Sequence, residues 1–388
     1  MRKLECAIAE QHVVQRALPP VLSVFIPTWR RTAEMIQAVR SIASQIVGGL
    51  EDKVEIVISD NSEAQTWPET QDAIRQLARD FPFISYYFNA RNQGAQFQVF
   101  AAPWRTTGRW TWIFGSDDCL FPGGVAAVLR TLEAEDPSLL AMNCRVLDSD
   151  LTERVRSLSG LPDHNVTGFD RLMAGVGFHQ PALLSSCIEK TEAARAIDPI
   201  GLGIINCGHA HLLAYFARHR DVRCTYLSSN HLGHRTNNGL TPLGPVAHAI
   251  GIDFPLQLHR FRREFGLDAD YCEQINGSRR IDSFDPPTVT FVDNMFEFMV
   301  RGIAEGIFID DYSRMSLREL LAGCRPGRVA QFEEILLINE STRLEHGACE
   351  SARLEYERRS RDFFATRNRL YEHAFTQFTD REGARLAQ

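Results

Sequence analysis

The sequence has no apolar run long enough to cross a bilayer, since none approaches the roughly 18–20 residues that a membrane-spanning helix needs. Its first residues, MRKLECAIAEQ, also lack the apolar centre of a signal peptide. Apolar residues nevertheless make up 44% of the 388, so the chain can bury one large core or form two or three domains. We therefore expect a cytoplasmic protein, which leaves peripheral contact with the inner face of a membrane open.

Basic residues are too few for a nucleic-acid footprint: 42 Lys and Arg stand against 49 Asp and Glu, and the net charge is −7. Nucleic acid is therefore not expected as a main partner. The nine cysteines are never spaced as C-x-x-C, which favours reduced thiols over a disulfide framework or a zinc site. The motifs G-x-S-x-G, H-E-x-x-H and the P-loop are missing, which argues against the corresponding hydrolases and NTPases.

Segments of strand length and helical stripes alternate along the first 235 residues. Continuous apolar runs predict strands at residues 21–26, 54–59, 83–88, 110–114, 139–147, 182–188 and 222–227. Apolar residues spaced i, i+3, i+4 predict helices at 35–46, 69–81, 96–104 and 208–218. This alternation implies right-handed crossovers, and hence an α/β fold with a mostly parallel, Rossmann-like sheet flanked by helices.

The sequence predicts three regions: an N-terminal arm or helix at residues 1–20, an α/β domain at 21–239 and a mainly α-helical C-terminal region at 240–388. The second boundary lies where Pro, Gly and charged residues become frequent. Within the last region we predict a connector at 276–287 and helices at 289–309, 317–337 and 340–380.

Two predicted strands end in acids. Residues 110–114 run into Gly115-Ser116-Asp117-Asp118, and residues 54–59 run into Asp60-Asn61-Ser62. In open α/β sheets the carboxyl ends of the strands form the crevice where ligands bind. Adjacent carboxylates there suit Mg²⁺ or Mn²⁺ and, through the cation, a diphosphate-bearing substrate. The alternative is that both segments are ordinary turns that end a strand or cap the next helix.

Five short motifs stand in order in the first half of the chain: Pro27-Thr28, Asp60-Asn61-Ser62, Asn92-x-Gly94, Gly108 and Gly115-Ser116-Asp117-Asp118. Each is weak alone, but each stands at the end of a predicted strand or the start of a helix. Residues 20–235, and 21–135 most closely, therefore resemble a nucleotide-sugar-dependent glycosyltransferase of family 2 with the GT-A fold. Within that family, the sequence most resembles the bacterial sugar transferases of surface-polysaccharide assembly.

The resemblance implies a nucleotide pocket at the first motifs. Pro27 and Thr28 would line it, and Asp60 would accept a hydrogen bond from the base, because a carboxylate facing a nucleobase N–H forms a strong charged hydrogen bond. The other nucleotide-contacting residues that it implies are Arg91, Asn92 and Gly94.

The acidic motif departs from the family pattern, because Ser116 occupies the place of an acid. The resemblance assigns the metal, Mg²⁺ or Mn²⁺, to Asp118, and gives Asp117 the ribose or a supporting role beside the metal. Such a cation would act as a Lewis acid on the departing nucleotide diphosphate.

The residue expected to remove the acceptor's proton is also replaced. Family 2 enzymes usually carry an Asp or Glu at a helix start after the edge strand, where this chain has Gly208-His209-Ala210-His211-Leu212. A neutral imidazole is a base near pH 7, so His209 is the first candidate. Two alternatives stay open: His209 or His211 completes the metal site, or the base is Asp198 or Glu189 and the histidines are structural.

Arg235 is the candidate phosphate clamp, because its planar guanidinium matches phosphate oxygens. We expect it, with His231 and His234, on a loop that follows the last predicted strand. In similar transferases this region folds over the diphosphate, and closure of such a loop would exclude water. The alternative is a solvated loop arginine.

The sequence therefore favours an inverting glycosyltransferase of the EC 2.4 class, hexosyl or related. A hydroxyl of a saccharide, lipid-linked or other acceptor would attack the anomeric carbon of a nucleotide sugar. Residues 240–388 would bind the acceptor, form a homodimer or touch a membrane surface. The rival hypothesis is a catalytically silent nucleotide- or sugar-binding scaffold module, since acids are replaced at Ser116 and Gly208.

Overall fold

The computed structural model describes residues 8–62, 67–90, 92, 95–157, 160–176, 183–196, 219 and 221–235. The predicted helix at 208–218 and the predicted region 240–388 lie outside these residues. Among the helices of the described part, none combines the length and the apolar character that a bilayer crossing requires.

Eleven strands form one sheet in the described residues. They are β1 Ile8–His12, β2 Leu22–Thr28, β3 Val54–Asp60, β4 Ile84–Asn89, β5 Trp110–Ile113, β6 Cys119–Leu120, β7 Leu139–Leu147, β8 Glu153–Val155, β9 His164–Thr167, β10 Cys187–Lys190 and β11 Arg223–Arg235. Their order across the sheet is β1-β4-β3-β2-β5-β10-β7-β11-β6, with β8 paired to β7 and β9 paired to β11.

Six α-helices accompany the sheet in the described residues: α1 Thr32–Ala43, α2 Pro68–Asp80, α3 Ala95–Arg105, α4 Gly124–Glu135, α5 Phe169–Val176 and α6 Thr191–Arg195. Short 3-10 turns stand at Leu50–Asp52 and Leu184–Ser186. Helix α1 buries Met35, Val39 and Ile42 on one face, as the apolar spacing predicts. Helix α2 begins with Pro68, whose missing N–H costs nothing at that position.

The first half of the sheet is parallel. Strands β4, β3, β2 and β5 pair in the same direction, and α1, α2 and α3 make the crossovers between them. All seven residues of β3 are buried, which explains why apolar residues fill the successive positions 56–58 instead of alternating with polar ones. The α/β fold class is confirmed. The second half is mixed, because β10 lies antiparallel between β5 and β7 while β7 and β11 are parallel.

Three elements differ from their predictions. Residues 8–12, within the expected helix or arm, form β1 at the sheet edge against β4. The strand predicted at 182–188 is β10, which starts at Cys187 after a 3-10 turn. The last strand does not stop at Leu227 but resumes at Leu232 after an irregularity. The polar run between these two leucines has the composition of a loop, and this hid the continuation.

Gly108 of the ordered motifs has a packing role. A Cβ at Gly108 would lie 2.4 Å from Ser23 Oγ and 2.7 Å from the Ser23 backbone nitrogen. The Gly108 N–H donates to Ser23 Oγ at 2.7 Å, and that hydroxyl donates to the buried carboxylate of Glu55 at 2.5 Å. The turn before β5 is thus held against the amino ends of β2 and β3, where only glycine fits.

We expect Gly108→Ala to lower the free energy of unfolding by about 1–3 kcal/mol, because the added methyl group overpacks this contact. Gly160→Ala is the matched control, since nothing lies within 4 Å of a Cβ at Gly160. The control should change stability by no more than about 0.5 kcal/mol. Urea unfolding followed by tryptophan fluorescence measures both, and equal effects of the two substitutions would contradict the packing role.

Candidate active site at the carboxyl edge of the sheet

The acid-bearing segments meet at one edge of the sheet. Thr28 pairs with Asp60 at the ends of β2 and β3, and the Asn61 N–H donates to the Thr28 carbonyl oxygen at 2.9 Å. Beyond β5, the Phe114 N–H donates to the Phe25 carbonyl oxygen of β2 at 2.8 Å. The turn after β5 therefore opens beside the end of β2, on the same edge as Asp60.

Asp60 is fully buried and ends β3 in a hydrogen-bonded turn. Its Oδ1 accepts a hydrogen bond from the Ser62 N–H at 2.9 Å, and the Ser62 hydroxyl accepts one from the Arg30 N–H at 2.8 Å. Oδ1 of Asp60 therefore takes part in an ordinary strand-ending turn, which was the alternative to a ligand-binding role. Next to Asp60, Thr28 Oγ1 is buried and has no hydrogen-bond partner among the described residues. A ligand that reaches this point would meet a hydroxyl able to donate or accept a hydrogen bond.

A buried polar network supports this turn from below. Asn61 Oδ1 accepts a hydrogen bond from Asn89 Nδ2 at 2.8 Å, and Asn89 Oδ1 accepts one from Arg105 Nη2 at 2.9 Å. Arg105 also donates to Ser59 Oγ at 2.5 Å, and its guanidinium lies 4.9 Å from the ring centre of Tyr87. The ends of β3 and β4 and the last residue of α3 are thus fixed to one another.

Asp118 is buried and held by donors from two other elements. Ser185 Oγ donates to its Oδ2 at 2.5 Å and accepts a hydrogen bond from the Gly115 N–H at 2.7 Å. Its Oδ1 accepts a hydrogen bond from the Arg235 backbone N–H at 3.0 Å and lies 3.1 Å from His234 Nδ1. Because a carboxylate only accepts, this contact calls for a proton on Nδ1.

The turn closes around Gly115. A Cβ at this position would lie 2.8 Å from Asp118 Oδ2 and 3.1 Å from Asp117 Oδ1. Both carboxylates therefore fold back over the glycine, and a larger residue would displace them.

Asp117 pairs with Arg31, which stands just before α1. Burial and the charge of Asp118 raise the pKa of Asp117, and the charge of Arg31 opposes this increase. Burial by itself lowers the pKa of His234, but its hydrogen bond to Asp118 and the charges of both aspartates outweigh burial and raise that pKa. The turn is therefore a place of concentrated negative charge.

Arg235 is buried at the end of β11, so the prediction that it lies on a loop is wrong. Its Nη2 donates to Gln37 of α1 at 2.7 Å, while its Nε is buried with no hydrogen-bond partner among the described residues. Leu232 returns the strand to the sheet, and this places Arg235 beside Asp118. The backbone of Arg235 thus contacts Asp118, while its guanidinium, a group able to bind phosphate oxygens, is held by Gln37.

The donor set fits a hard divalent cation. In the described residues no group of three or more His, Cys, Asp or Glu side chains is arranged to hold a metal ion. Mg²⁺, however, usually takes one or two carboxylates and completes its shell with water and substrate phosphates. Asp117 and Asp118 could supply these carboxylates, whereas the buried Ser116 could add only a hydroxyl. The pair therefore suits a cation that arrives with a diphosphate.

The structure brings together Thr28, Asp60, Asp117, Asp118 and Arg235, with Pro27 one residue before Thr28 in β2. Asn92 is exposed in its loop. Glu189 lies opposite Thr111, towards the amino end of β5 and away from the acidic turn. The other predicted site residues lie outside the described residues: Arg91, Gly94, Asp198, His209 and His211.

Sequence reasoning missed several residues of this site, namely Arg31, Gln37, Arg105 and Ser185. Arg31 carried a usable signal, because it stands between a parallel strand and its crossover helix, where ligands of α/β sheets bind. Ser185 carried none, since a serine pair before a strand has the composition of an ordinary turn.

Comparison with known proteins shows what part of this chain is similar to. Residues 23–183 match the family model for glycosyl transferase family 2. Abequosyltransferase RfbV of Salmonella typhimurium strain LT2 is 32% identical over 115 residues, which are 30% of this chain and 33% of that protein. The match thus spans about a third of the length of this curated relative.

Two solved structures share the fold. TarS residues 1–349 of S. aureus superpose with a TM-score of 0.51 at 14% identity, over 92% of this chain and 91% of that chain. TarS 1–349 in complex with UDP gives the same score and identity over 84% of this chain and 91% of that chain. The GT-A-type fold is thereby confirmed.

We expect Asp117→Asn to raise the melting temperature at pH 7. The pKa of Asp117 lies above its ordinary value of 3.8 in the folded chain, so the folded state disfavours the charged carboxylate. This penalty is absent below pH 3.8 and grows as the pH rises through the raised pKa, so the gain should shrink on acidification.

Asp72→Asn, on the exposed surface of α2, is the matched control and should not raise the melting temperature. Thermal unfolding of each protein between pH 4 and pH 8 checks the prediction. A fall in melting temperature for Asp117→Asn at pH 7 would contradict it.

Proposed function

We propose that the chain, whose residues 23–183 match the family model for glycosyl transferase family 2, transfers a sugar from a nucleotide-sugar donor to an acceptor hydroxyl. The observation that carries this proposal is that Asp60 and the pair Asp117 and Asp118 open at the same edge of the sheet, at the ends of β3 and β5. Hydrogen-bonding groups surround Asp60 at the end of β3, and charged groups surround Asp117 and Asp118 after β5.

The nucleoside part of the donor would lie along β2 and β3. Pro27 and Thr28 line this end, and Thr28 Oγ1 is the buried hydroxyl available to it. Asp60 would accept a hydrogen bond from the base, with its geometry fixed by the network below it. Arg91, Asn92 and Gly94 would approach the nucleoside from the loop after β4. That TarS, which has the same fold, binds UDP supports this placement.

The diphosphate would lie over the turn after β5. Asp118, with Asp117, would hold Mg²⁺ or Mn²⁺, and Arg235 would donate to the phosphate oxygens. When bound, the cation supplies Lewis-acid stabilisation of the negative charge that develops on the leaving diphosphate. Burial and the neighbouring charge of Asp118, which together raise the pKa of Asp117, support a cation here.

The acceptor hydroxyl would be deprotonated by His209, with Asp198 as the alternative base and His211 as a neighbouring metal ligand or structural residue. The resulting oxygen attacks the anomeric carbon on the face opposite the diphosphate, so that the configuration inverts. The C–O bond to the acceptor forms as the bond to the diphosphate oxygen breaks.

We place the reaction in the assembly of a bacterial surface polysaccharide or glycoconjugate, at the cytoplasmic side of the membrane. The abequosyltransferase relative supports a sugar-transferring role of this kind. A saccharide or lipid-linked acceptor suits it, and residues 240–388 would contact that acceptor, a second copy of the chain or the membrane surface.

A silent binding module is the second candidate. Ser116 replaces an acid, and both oxygens of Asp118 accept hydrogen bonds from protein donors. Such a module would bind a nucleotide sugar without turnover of any acceptor.

We expect Asp118→Asn to reduce Mn²⁺- or Mg²⁺-stimulated release of nucleoside diphosphate by about 10²–10³-fold, because the variant removes a charge that binds the cation at the leaving group. The donor is first chosen from a thermal-shift panel of nucleotide sugars with and without Mn²⁺. Asp72→Asn, a surface Asp of α2, is the control and should retain full activity.

Full activity of Asp118→Asn would refute the metal assignment, and donor binding without turnover by the wild type would favour the silent module.

We expect His209→Ala to lower kcat by about 10²–10⁴-fold while the affinity for the nucleoside diphosphate stays unchanged, because a general base acts only in the chemical step. His12→Ala, on the edge strand β1, is the control. Steady-state kinetics and calorimetry separate the two effects. Unchanged turnover would shift the role to Asp198.

A further inference from the structure

The ion pair between Arg31 and Asp117 lies inside the place assigned to the cation. Arg31 Nη1 contacts Asp117 Oδ2, and the two side chains are only 15% and 16% exposed. A guanidinium therefore already neutralises one of the two carboxylates on which a divalent cation would bind. Both cations need lone pairs of the same carboxylate, so they compete.

The backbone places Arg31 beside the acidic turn, directly before the start of α1. The carbonyl oxygen of Arg31 accepts a hydrogen bond from the Met35 N–H at 2.9 Å, which starts α1. The preceding Arg30 has a left-handed φ of 54°, and its N–H is held by Ser62 Oγ at 2.8 Å. Arg31 makes no side-chain capping bond to the helix. The side chain can therefore change partner without unfolding the helix start.

We propose that Arg31 is a cation surrogate that exchanges partners: it neutralises Asp117 in the donor-free protein and moves to the diphosphate when Mg²⁺ or Mn²⁺ binds Asp117 with the donor. The inference rests on the proposed function, since it needs a diphosphate at the turn. A guanidinium is suited to both partners, because its planar donors match carboxylate and phosphate oxygens alike.

The charges at the turn explain why the exchange is favourable. In the donor-free protein Arg31 reduces the repulsion between two adjacent acids. When the diphosphate binds, a divalent cation with twice the charge reduces this repulsion instead. The phosphate oxygens then become the anionic partner of Arg31. Arg31 thus couples cation binding to donor binding, and the cation alone has to displace an internal competitor.

Arg31→Gln should therefore move two affinities in opposite directions. The Kd for Mn²⁺ alone should fall roughly tenfold, because the competitor is gone. The Kd for the nucleoside diphosphate at saturating Mn²⁺ should rise roughly tenfold, because a charged contact to the phosphates is lost. Arg31→Lys should keep Mn²⁺ affinity near the wild-type value. It should still weaken diphosphate binding, since an ammonium lacks the two planar donors with which a guanidinium contacts two phosphate oxygens.

Calorimetry with Mn²⁺ alone, and then with the best binder among UDP, GDP, CDP and ADP, measures both constants. Arg109→Gln is the charge-matched control, because it removes an exposed Arg that pairs with Asp136 at the amino end of β5. It should change neither constant. Melting temperatures confirm that each variant is folded.

Opposite shifts in Arg31→Gln establish the exchange. Unchanged or weaker Mn²⁺ binding by folded Arg31→Gln overturns it, and the transferase proposal stands as long as the wild type binds the nucleoside diphosphate. A wild-type protein that binds neither Mn²⁺ nor any of the four nucleotides overturns the proposed function, and the exchange with it.

Discussion

Repulsion between two neighbouring carboxylates, Asp117 and Asp118, is the constraint around which the site is arranged. The turn at Gly115 folds both side chains into a buried space, and this is unfavourable unless cations and donors compensate. Compensation comes from distant parts of the chain: Arg31 before α1, Ser185 before β10, and the end of β11. The charge of the turn thus brings together elements that follow or precede different strands of the sheet.

The part of the site at Thr28 and Asp60, where we propose that the nucleoside binds, depends on a different kind of interaction. There the polar groups are matched within the protein, through the chain of hydrogen bonds that links Ser59, Arg105, Asn89 and Asn61. Matched buried hydrogen bonds make that half rigid, whereas unbalanced charge makes the other half responsive to ligands. The proposed transfer would need both, because the base would be held in one geometry while the diphosphate gains charge and leaves.

The predictable part of the structure is the part governed by local pattern. The strands at 54–59 and 110–114 and the acids that follow them could be predicted from the sequence, because a strand buried on both faces carries apolar residues at successive positions. The short or exposed strands β1, β8 and β9 could not, since they owe their pairing to the sheet edge rather than to apolar periodicity. Arg31 and Asp117 are 86 positions apart, and only the strand order makes them neighbours. For the same reason Arg235 was expected on a loop, although Leu232 and Gly233 carry it along β7 as strand.

A crystal structure of the protein with Mn²⁺ and its preferred nucleoside diphosphate would show where both ligands bind. We expect the base beside Thr28 and Asp60, with the metal and the phosphates over Asp117 and Asp118. A nucleotide bound elsewhere would contradict it, for instance in the groove of about 300 Å³ that α4 forms with β9 and β11.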